Sequence, residues 1–194
     1  MRIVIADDEA IIRLGLTEML EELGHSVVGS AADGAGAVQL ARELKPDLLL
    51  LDIKMPIMNG LDAAEAIAAE RPIPIVILSA YSDRDLVERA ANLAVHGYLI
   101  KPVRPADLAP ALEVAANRFR QWQILRQEAA DLREALLARE LVDRAKRVLM
   151  EHYRLTEAKA FTRLQAQARR QRRTMRQVAE EILSKFAGVE SAQR

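Results

Sequence analysis

Residues 47–60 read Asp-Leu-Leu-Leu-Leu-Asp-Ile-Lys-Met-Pro-Ile-Met-Asn-Gly, a run of four leucines that ends on Asp52 and leads into a turn-forming segment. Consecutive apolar residues without polar alternation are typical of a strand that is covered on both faces. Such strands occur mainly in parallel sheets, because their crossover helices lie on both sides. The segment therefore predicts a central parallel strand with an acid at its carboxyl end.

The same pattern extends along the first hundred residues, where short β-rich runs alternate with segments of helical periodicity. The β-rich runs are residues 3–6, 26–29, 47–51, 73–78 and 97–100. The helical segments between them are residues 10–23, 35–44, 60–70 and 84–93. Regular alternation of this kind predicts an α/β fold with a doubly wound, parallel, five-stranded sheet.

Polar residues follow four of these runs and should meet at one edge of the sheet. Asp7 and Asp8 follow the first run, Asp52 the third, Ser79 the fourth and Lys101 the fifth. Open parallel sheets bind ligands at this edge, and Mg²⁺ would balance three carboxylates there. An Asp beside Mg²⁺ is a nucleophile toward phosphorus, and the Lys and Ser are suited to bind phosphoryl oxygens. Taken one at a time, the same residues are explained as well by helix caps or loops.

Four segments resemble the receiver domain of bacterial response regulators. They are Asp7-Asp8-Glu9, the nine residues 52–60, Ser79-Ala80, and Tyr98-Leu99-Ile100-Lys101-Pro102. The resemblance implies a flavodoxin-like fold over residues 1–116, in which a sensor histidine kinase phosphorylates Asp52.

The receiver resemblance also implies a role for each site residue. The implied Mg²⁺ ligands are Asp7, Asp8, Asp52 and the backbone carbonyl of Lys54. Lys101 is implied to bind the phosphoryl group, with a cis bond to Pro102, and the implied switch pair is Ser79 and Tyr98.

The composition excludes other classes. The chain has no Cys, which rules out disulfides, thiolate metal sites and a cysteine nucleophile. It has no apolar run of about eighteen residues, so no membrane span is expected. The N-terminus also lacks the features of a signal peptide. A cytoplasmic protein is therefore expected.

The net charge of zero conceals two parts of opposite sign. Residues 1–138 carry 14 Lys and Arg against 21 Asp and Glu, a balance of −7, and residues 139–194 carry 14 against 7, a balance of +7. A basic module favours a polyanionic partner, although a solvated helical surface or a dock for an acidic protein has the same charge pattern.

The segment between these parts predicts a helix with a coiled-coil seam. Its apolar residues follow a 3-4-3-4 spacing, at Trp122, Leu125, Ala129, Leu132 and Leu136. Since only about two heptads are clear, a helix that packs on its own domain is the alternative. Beyond it, helical stripes at residues 141–149, 160–168 and 175–183 predict a small three-helix bundle, with Thr156 and Thr174 as candidate N-caps.

Three stretches of the bundle resemble the ANTAR domain, a three-helix RNA-binding module of antitermination regulators. They are residues 141–150, 155–161 and 172–179. Arg147 and Arg169 depart from the family pattern, which usually has Gly at the first position and a small residue or Met at the second. The expected order is a receiver (1–116), a coiled-coil helix (117–139), an ANTAR domain (140–186) and a flexible tail (187–194), as in phosphorylation-dependent antitermination regulators of actinobacteria.

The combined resemblance implies a response regulator that forms a homodimer when phosphorylated and binds paired RNA hairpin loops, so that transcription continues. The candidate RNA contacts are Lys146, Tyr153, Arg169, Arg170, Arg172 and Arg173. Two other outputs remain open, namely binding of duplex DNA and a protein-docking or dimerisation bundle. An enzymatic output is not expected, since the last 55 residues hold one His, no Cys and no cluster of acids suited to catalysis.

Overall fold

The computed structural model of the chain describes residues 1–80 and 95–191. The predicted helix at residues 84–93 lies outside the described residues. The chain divides into two compact units, Met1–Gln123 and Ile124–Arg194. Within the part of the chain that the structure describes, no helix combines the length and apolar character needed to span a membrane.

The first unit contains a five-stranded sheet with helices between its strands. The strands are β1 (Arg2–Ala6), β2 (Ser26–Ala31), β3 (Leu48–Asp52), β4 (Ile75–Ser79) and β5 (Gly97–Ile100). The helices are α1 (Ala10–Glu22), α2 (Gly34–Leu44) and α3 (Gly60–Glu70), followed by α4 (Pro105–Tyr153), which begins in this unit. All strand pairs are parallel and the order is β2-β1-β3-β4-β5, which confirms the predicted doubly wound fold.

Alternate residues of the central strands enter two separate cores, one on each face of the sheet. Leu49 and Leu51 of β3 pack with α2 and α3, whereas Leu48 and Leu50 pack with α1 and the first turns of α4. Every residue of β3 and β4 is buried. Because a one-residue slip would move each side chain into the opposite core, the register that places Asp52 at the end of β3 is strongly fixed.

The second unit is a bundle formed by the C-terminal part of α4 with α5 (Glu157–Gln171) and α6 (Met175–Ser191). Thr156 caps α5 by accepting a hydrogen bond from the Lys159 N–H. Thr174 and Gln177 form a reciprocal capping box at α6, in which each side chain accepts from the other residue's backbone N–H. The buried core is Ala145, Leu149, Ala160, Leu164, Ala168, Val178, Ala179 and Ile182. The predicted three-helix bundle and both caps are confirmed.

Two elements are longer than expected. Helix α4 is continuous over 49 residues, so the last helix of the first unit, the expected coiled-coil segment and the first bundle helix are one element. Helix α6 continues to Ser191, five residues into the expected flexible tail at 187–194. A helix accommodates one Gly, here Gly188, at a cost of only about 1 kcal/mol, so this residue does not end α6.

The expected coiled-coil seam on α4 is exposed. The exposed fraction is 65% for Leu125, 64% for Leu132 and 63% for Leu136. These three leucines therefore do not bury themselves against the described residues of the same chain, whereas Trp122, the first residue of the seam, stacks on Phe119 of the first unit.

His96, just before β5, joins the sheet to α4 through an aromatic cluster. Its ring meets the Phe119 ring edge-on, with centroids 5.0 Å apart, and Phe119 stacks on Trp122 at 5.7 Å. The Ile75 N–H lies 3.4 Å from the imidazole Nδ1, which acts as an acceptor in the neutral ring. Burial lowers the pKa of His96, and the positive charge of Arg118 lowers it further.

We expect the wild-type chain to lose more stability than His96→Gln when the pH falls from about 7.5 to about 5.5. Because the native state disfavours the charged ring, the unfolded chain binds a proton first as the pH falls through 6.5, the ordinary pKa of His. Other titratable groups are common to both proteins and cancel in the difference. Urea unfolding followed by the emission of Trp122, the single tryptophan, measures this difference. Equal losses in the two proteins would contradict the prediction.

Candidate functional site

Asp7, Asp8 and Asp52 meet at the carboxyl edge of the sheet, as predicted. They are brought together because β1 and β3 are adjacent parallel strands. Asp7 is fully buried, Asp52 is 5% exposed and Asp8 is exposed. One carboxylate oxygen from each residue lies within 4.8 Å of those of the other two. This edge of the sheet therefore concentrates three negative groups, two of which are shielded from water.

Lys101 follows β5 and bridges two of these acids. Its Nζ lies 2.7 Å from Asp7 Oδ2 and 3.0 Å from Asp52 Oδ1, and its side chain is 17% exposed. Its backbone N–H donates to the Ser79 carbonyl at 2.8 Å, and its bond to Pro102 is cis, as predicted. The lysine thus provides a fixed positive charge beside Asp52.

The pKa shifts follow from this packing. Burial raises the pKa of Asp52, Lys101 opposes the rise, and the charges of Asp7 and Asp8 add to it. Burial also disfavours the charge on Lys101, but its hydrogen bonds and charge interactions with Asp7 and Asp52 outweigh burial and raise its pKa. Asp52 therefore depends on nearby positive charge to remain ionised.

Arg13 on α1 holds the acidic turn in place. Its Nη1 donates to the backbone carbonyls of Asp7 at 2.7 Å and Asp8 at 3.2 Å. Asp7 Oδ1 accepts from the Glu9 N–H at 3.0 Å. Sequence reasoning missed Arg13, although an Arg one turn into the helix that follows an acidic turn is a detectable signal.

The loop between β3 and α3 passes close to the Asp52 backbone. A Cβ on Gly60 would lie 1.9 Å from the Asp52 carbonyl oxygen, so only glycine fits there. Ile57, at the tip of this loop, has φ 66° and is 87% exposed, a strained conformation for a β-branched residue. Lys54, whose carbonyl is a predicted ligand, lines a cleft of about 510 Å³ together with Asp8. The loop thus places a backbone segment beside the acids.

The predicted switch residues lie on neighbouring strands. Ser79 ends β4 and is 3% exposed, whereas Tyr98 in β5 is 55% exposed. The strand register pairs Ser79 with Ile100 and Tyr98 with Ile77. Ser79 is therefore a buried residue at the carboxyl end of β4, while the Tyr98 side chain is largely at the surface.

In the second unit, two of the six predicted RNA contacts are held in ion pairs. Lys146 Nζ lies 2.7 Å from both Asp143 and Glu157, and its side chain is 16% exposed. Arg173 pairs with Glu181 at 2.6 Å. The other three predicted cations are exposed and make no salt bridge to another described residue. They are Arg169, Arg170 and Arg172.

Tyr153 has a partner that sequence reasoning missed. The Arg163 guanidinium lies over its ring, with the Cζ atom 4.2 Å from the ring centroid. The ring is 43% exposed and also contacts the His152 ring at 4.8 Å. Arg163 and Lys159, which both lie on exposed parts of α5, are thus candidate contacts that no local run of charge marked.

Comparison with known proteins assigns both units. Residues 3–113 match the family model described as response regulator receiver domain, and residues 130–183 match the model of the ANTAR domain. The chain belongs to the response regulators that carry an ANTAR domain. It is 50% identical over 182 residues to the transcriptional regulatory protein PdtaR of Mycobacterium tuberculosis, an alignment that covers 94% of this chain and 89% of that protein.

The first unit also resembles receiver proteins from other bacteria. The chemotaxis protein CheY of Thermotoga maritima is 36% identical over 112 residues, which cover 57% of this chain and 93% of that protein. The solved receiver domain of AraT, a response regulator from Geobacillus stearothermophilus, superposes with a TM-score of 0.57 at 34% identity, covering 63% of this chain and 97% of that one. These similarities support the receiver fold of the first unit.

The donor set fits a hard divalent cation. Three carboxylates balanced by one ammonium leave two excess negative charges at the receiver edge, and Mg²⁺ favours carboxylate oxygens with water in its remaining positions. Buried Asp7 and Asp52 are already fixed, and exposed Asp8 completes the group from the solvent side. Binding would therefore require little rearrangement of the strands.

We expect Mg²⁺ to raise the melting temperature of the wild type and to have much less effect on Asp8→Asn. At ten times its dissociation constant the ion stabilises the native domain by about 1.4 kcal/mol. In EDTA the variant should be at least as stable as the wild type, because one repulsive charge is gone. Differential scanning fluorimetry measures both melting temperatures. Glu22→Gln, at an exposed position of α1, is the control that removes the same charge away from the site. An equal Mg²⁺ response in Asp8→Asn and the control would contradict this assignment.

Proposed function

We propose that this response regulator is phosphorylated on Asp52 by a sensor histidine kinase and then binds RNA through its ANTAR domain to promote transcription antitermination. One observation carries the proposal. Asp52 lies buried beside Lys101 within an acidic cluster, on a chain whose second unit matches the ANTAR domain.

The proposed chemistry is transfer of a phosphoryl group from a phosphohistidine. An Asp52 carboxylate oxygen attacks phosphorus, a P–O bond forms, the P–N bond breaks and the imidazole leaves. Mg²⁺ held by Asp7, Asp8, Asp52 and the Lys54 carbonyl would supply positive charge to the phosphoryl oxygens. Lys101, already 3.0 Å from Asp52, is placed to neutralise the same oxygens.

We propose that phosphorylation changes the conformation of β4 and β5, and that this change is passed on to α4. The Ser79 hydroxyl is placed to donate to a phosphoryl oxygen, and its movement lets the Tyr98 ring repack. Leu99, next to Tyr98, lies in the same core as Leu108 and Leu112 of α4. A change in β5 therefore acts on the helix that carries the exposed seam.

The proposed active species is a homodimer joined through this seam. Leucines that are more than 60% exposed on a single helix lose apolar contact with water when they pair with a second copy. Two linked ANTAR domains then engage two hairpin loops of one transcript, and the second contact is strengthened by its high effective concentration.

Two variants separate phosphorylation from dimerisation. Asp52→Asn should incorporate no phosphate from acetyl phosphate, and light scattering should show the same molecular mass with and without acetyl phosphate.

Leu125→Lys with Leu132→Lys should still be labelled but should not dimerise, because charged side chains replace the apolar residues of the seam. Gln123→Lys with Ala130→Lys, which adds the same charge off the seam, is the control. If Asp52→Asn is still labelled, the phosphoryl acceptor is another residue. If the Leu125→Lys, Leu132→Lys variant still dimerises, the dimer interface lies outside the seam.

RNA binding is tested on Arg169 and Arg170, which are exposed and make no salt bridge to another described residue. Arg169→Ala with Arg170→Ala should weaken binding of a tandem hairpin RNA about tenfold or more and reduce the salt slope by about 2, since each lost phosphate contact removes about 1. Arg173 is a poorer choice, because its loss also breaks the pair with Glu181. Fluorescence anisotropy at several salt concentrations measures both quantities.

The matched control removes the same charge from the receiver, as Lys45→Asn with Arg71→Ala, and should bind like the wild type. Competition with duplex DNA decides between the open alternatives. DNA that displaces the hairpins more effectively than unlabelled RNA would favour a DNA-binding output, and absence of binding to either would favour a protein-docking bundle.

A further inference from the structure

A groove runs along the exposed side of α5. It is shallow and open to solvent, has a volume of about 440 Å³, and is lined by Leu155, Ala158, Lys159, Thr162, Arg163 and Ala166. Ala158, Thr162 and Ala166 are four residues apart and therefore follow one another along the helix face. Their small side chains leave room for a flat group to approach the helix backbone.

Arg163 lines this groove and lies over an aromatic ring. One face of its guanidinium is covered by the Tyr153 ring, at 4.2 Å from the ring centroid, while the residue is exposed. Tyr153 is in turn held by ring contacts with His152 and Phe186. A guanidinium that rests over an aromatic ring has less conformational freedom to lose when a further group stacks on it.

The rim of the groove is positive. Lys159 and Arg163 are exposed and make no salt bridge to another described residue. The nearest acid along the chain, Glu157, is already paired with Lys146 at 2.7 Å. Arg170 lies one turn beyond Ala166 and is exposed as well. A guanidinium over an aromatic ring, a floor of small side chains and cations without a salt bridge to another described residue together match the base and phosphate of a nucleotide.

We propose that this groove binds one unpaired nucleobase of an RNA hairpin loop, which stacks on the open face of Arg163 while Lys159 binds an adjacent phosphate. The inference rests on the proposed RNA-binding function and adds the residues that read a base. It assigns Arg163 and Lys159 roles that the arginine-rich stretch at residues 169–173 does not fill, since cations without a stacking surface contribute charge alone.

The test uses the full chain with beryllofluoride and Mg²⁺, and a hairpin RNA selected on it from a pool with a constant stem and a randomised loop. Ala166→Leu fills the groove without changing charge, and Arg163→Lys keeps the charge but removes the planar platform. Both should weaken hairpin binding about tenfold while leaving the salt slope unchanged. Ser184→Leu, an equally exposed site on α6, is the control for added bulk and should bind like the wild type.

A second arm links the groove to one base. Abasic substitution at each loop position in turn should reveal one position that costs the wild type about tenfold and costs Ala166→Leu and Arg163→Lys almost nothing. If the wild type binds the hairpin but both variants bind equally well, the groove is not the base site and the proposed function stands. If the wild type selects no RNA, the proposed function fails and this inference fails with it. If Ala166→Leu alone does not fold, Arg163→Lys decides.

Discussion

The ion cluster of Lys101 with Asp7 and Asp52 is the constraint around which the receiver edge is built. Two buried carboxylates cannot remain charged without close positive groups, and Lys101 supplies one at 2.7 and 3.0 Å. The backbone serves the same arrangement. Arg13 fixes the acidic turn through its carbonyls, and Gly60 lets the next helix begin against the Asp52 backbone. These contacts keep the negatively charged side chains close together. A divalent cation and a phosphoryl group would both need such an arrangement to bind at the proposed site.

Most of the receiver fold could be predicted from sequence because burial on both faces of a parallel strand leaves a clear apolar signature. The strands predicted at 47–51 and 73–78 begin within one or two residues of β3 and β4. The length of α4 could not be predicted in the same way. The absence of Gly and Pro after Pro110 permits a long helix, but whether neighbouring helical stripes join depends on packing in three dimensions. The left-handed conformation of Ile57 could not be predicted from the sequence either, because β-branched residues rarely adopt a positive φ.

The candidate site was predictable to different degrees in the two units. At the sheet edge each acid follows a strand, so topology alone brings them together. On the bundle, a run of arginines shows charge but not pairing. Lys146 is neutralised partly by Glu157, eleven residues away on another helix, which no local pattern reveals. Arg163 carries no signal of its own in sequence, and its significance comes from the Tyr153 ring beneath it.

The continuity of α4 bears on how the proposed phosphorylation would control the proposed RNA binding. The helix contributes Leu112 to the receiver core and Leu149 to the bundle core, so it is part of the packed core of each unit. The bundle core contains only residues of the second unit, and helix α5 is capped by Thr156 of the same unit, so the packing of the bundle is complete within that unit. We therefore expect the proposed phosphorylation to act on the association of two chains rather than on the folding of the bundle. In the proposed dimer, pairing two chains through the exposed leucines would change neither the groove nor the cations of each bundle, yet it would raise the affinity for a tandem RNA by linking two weak contacts.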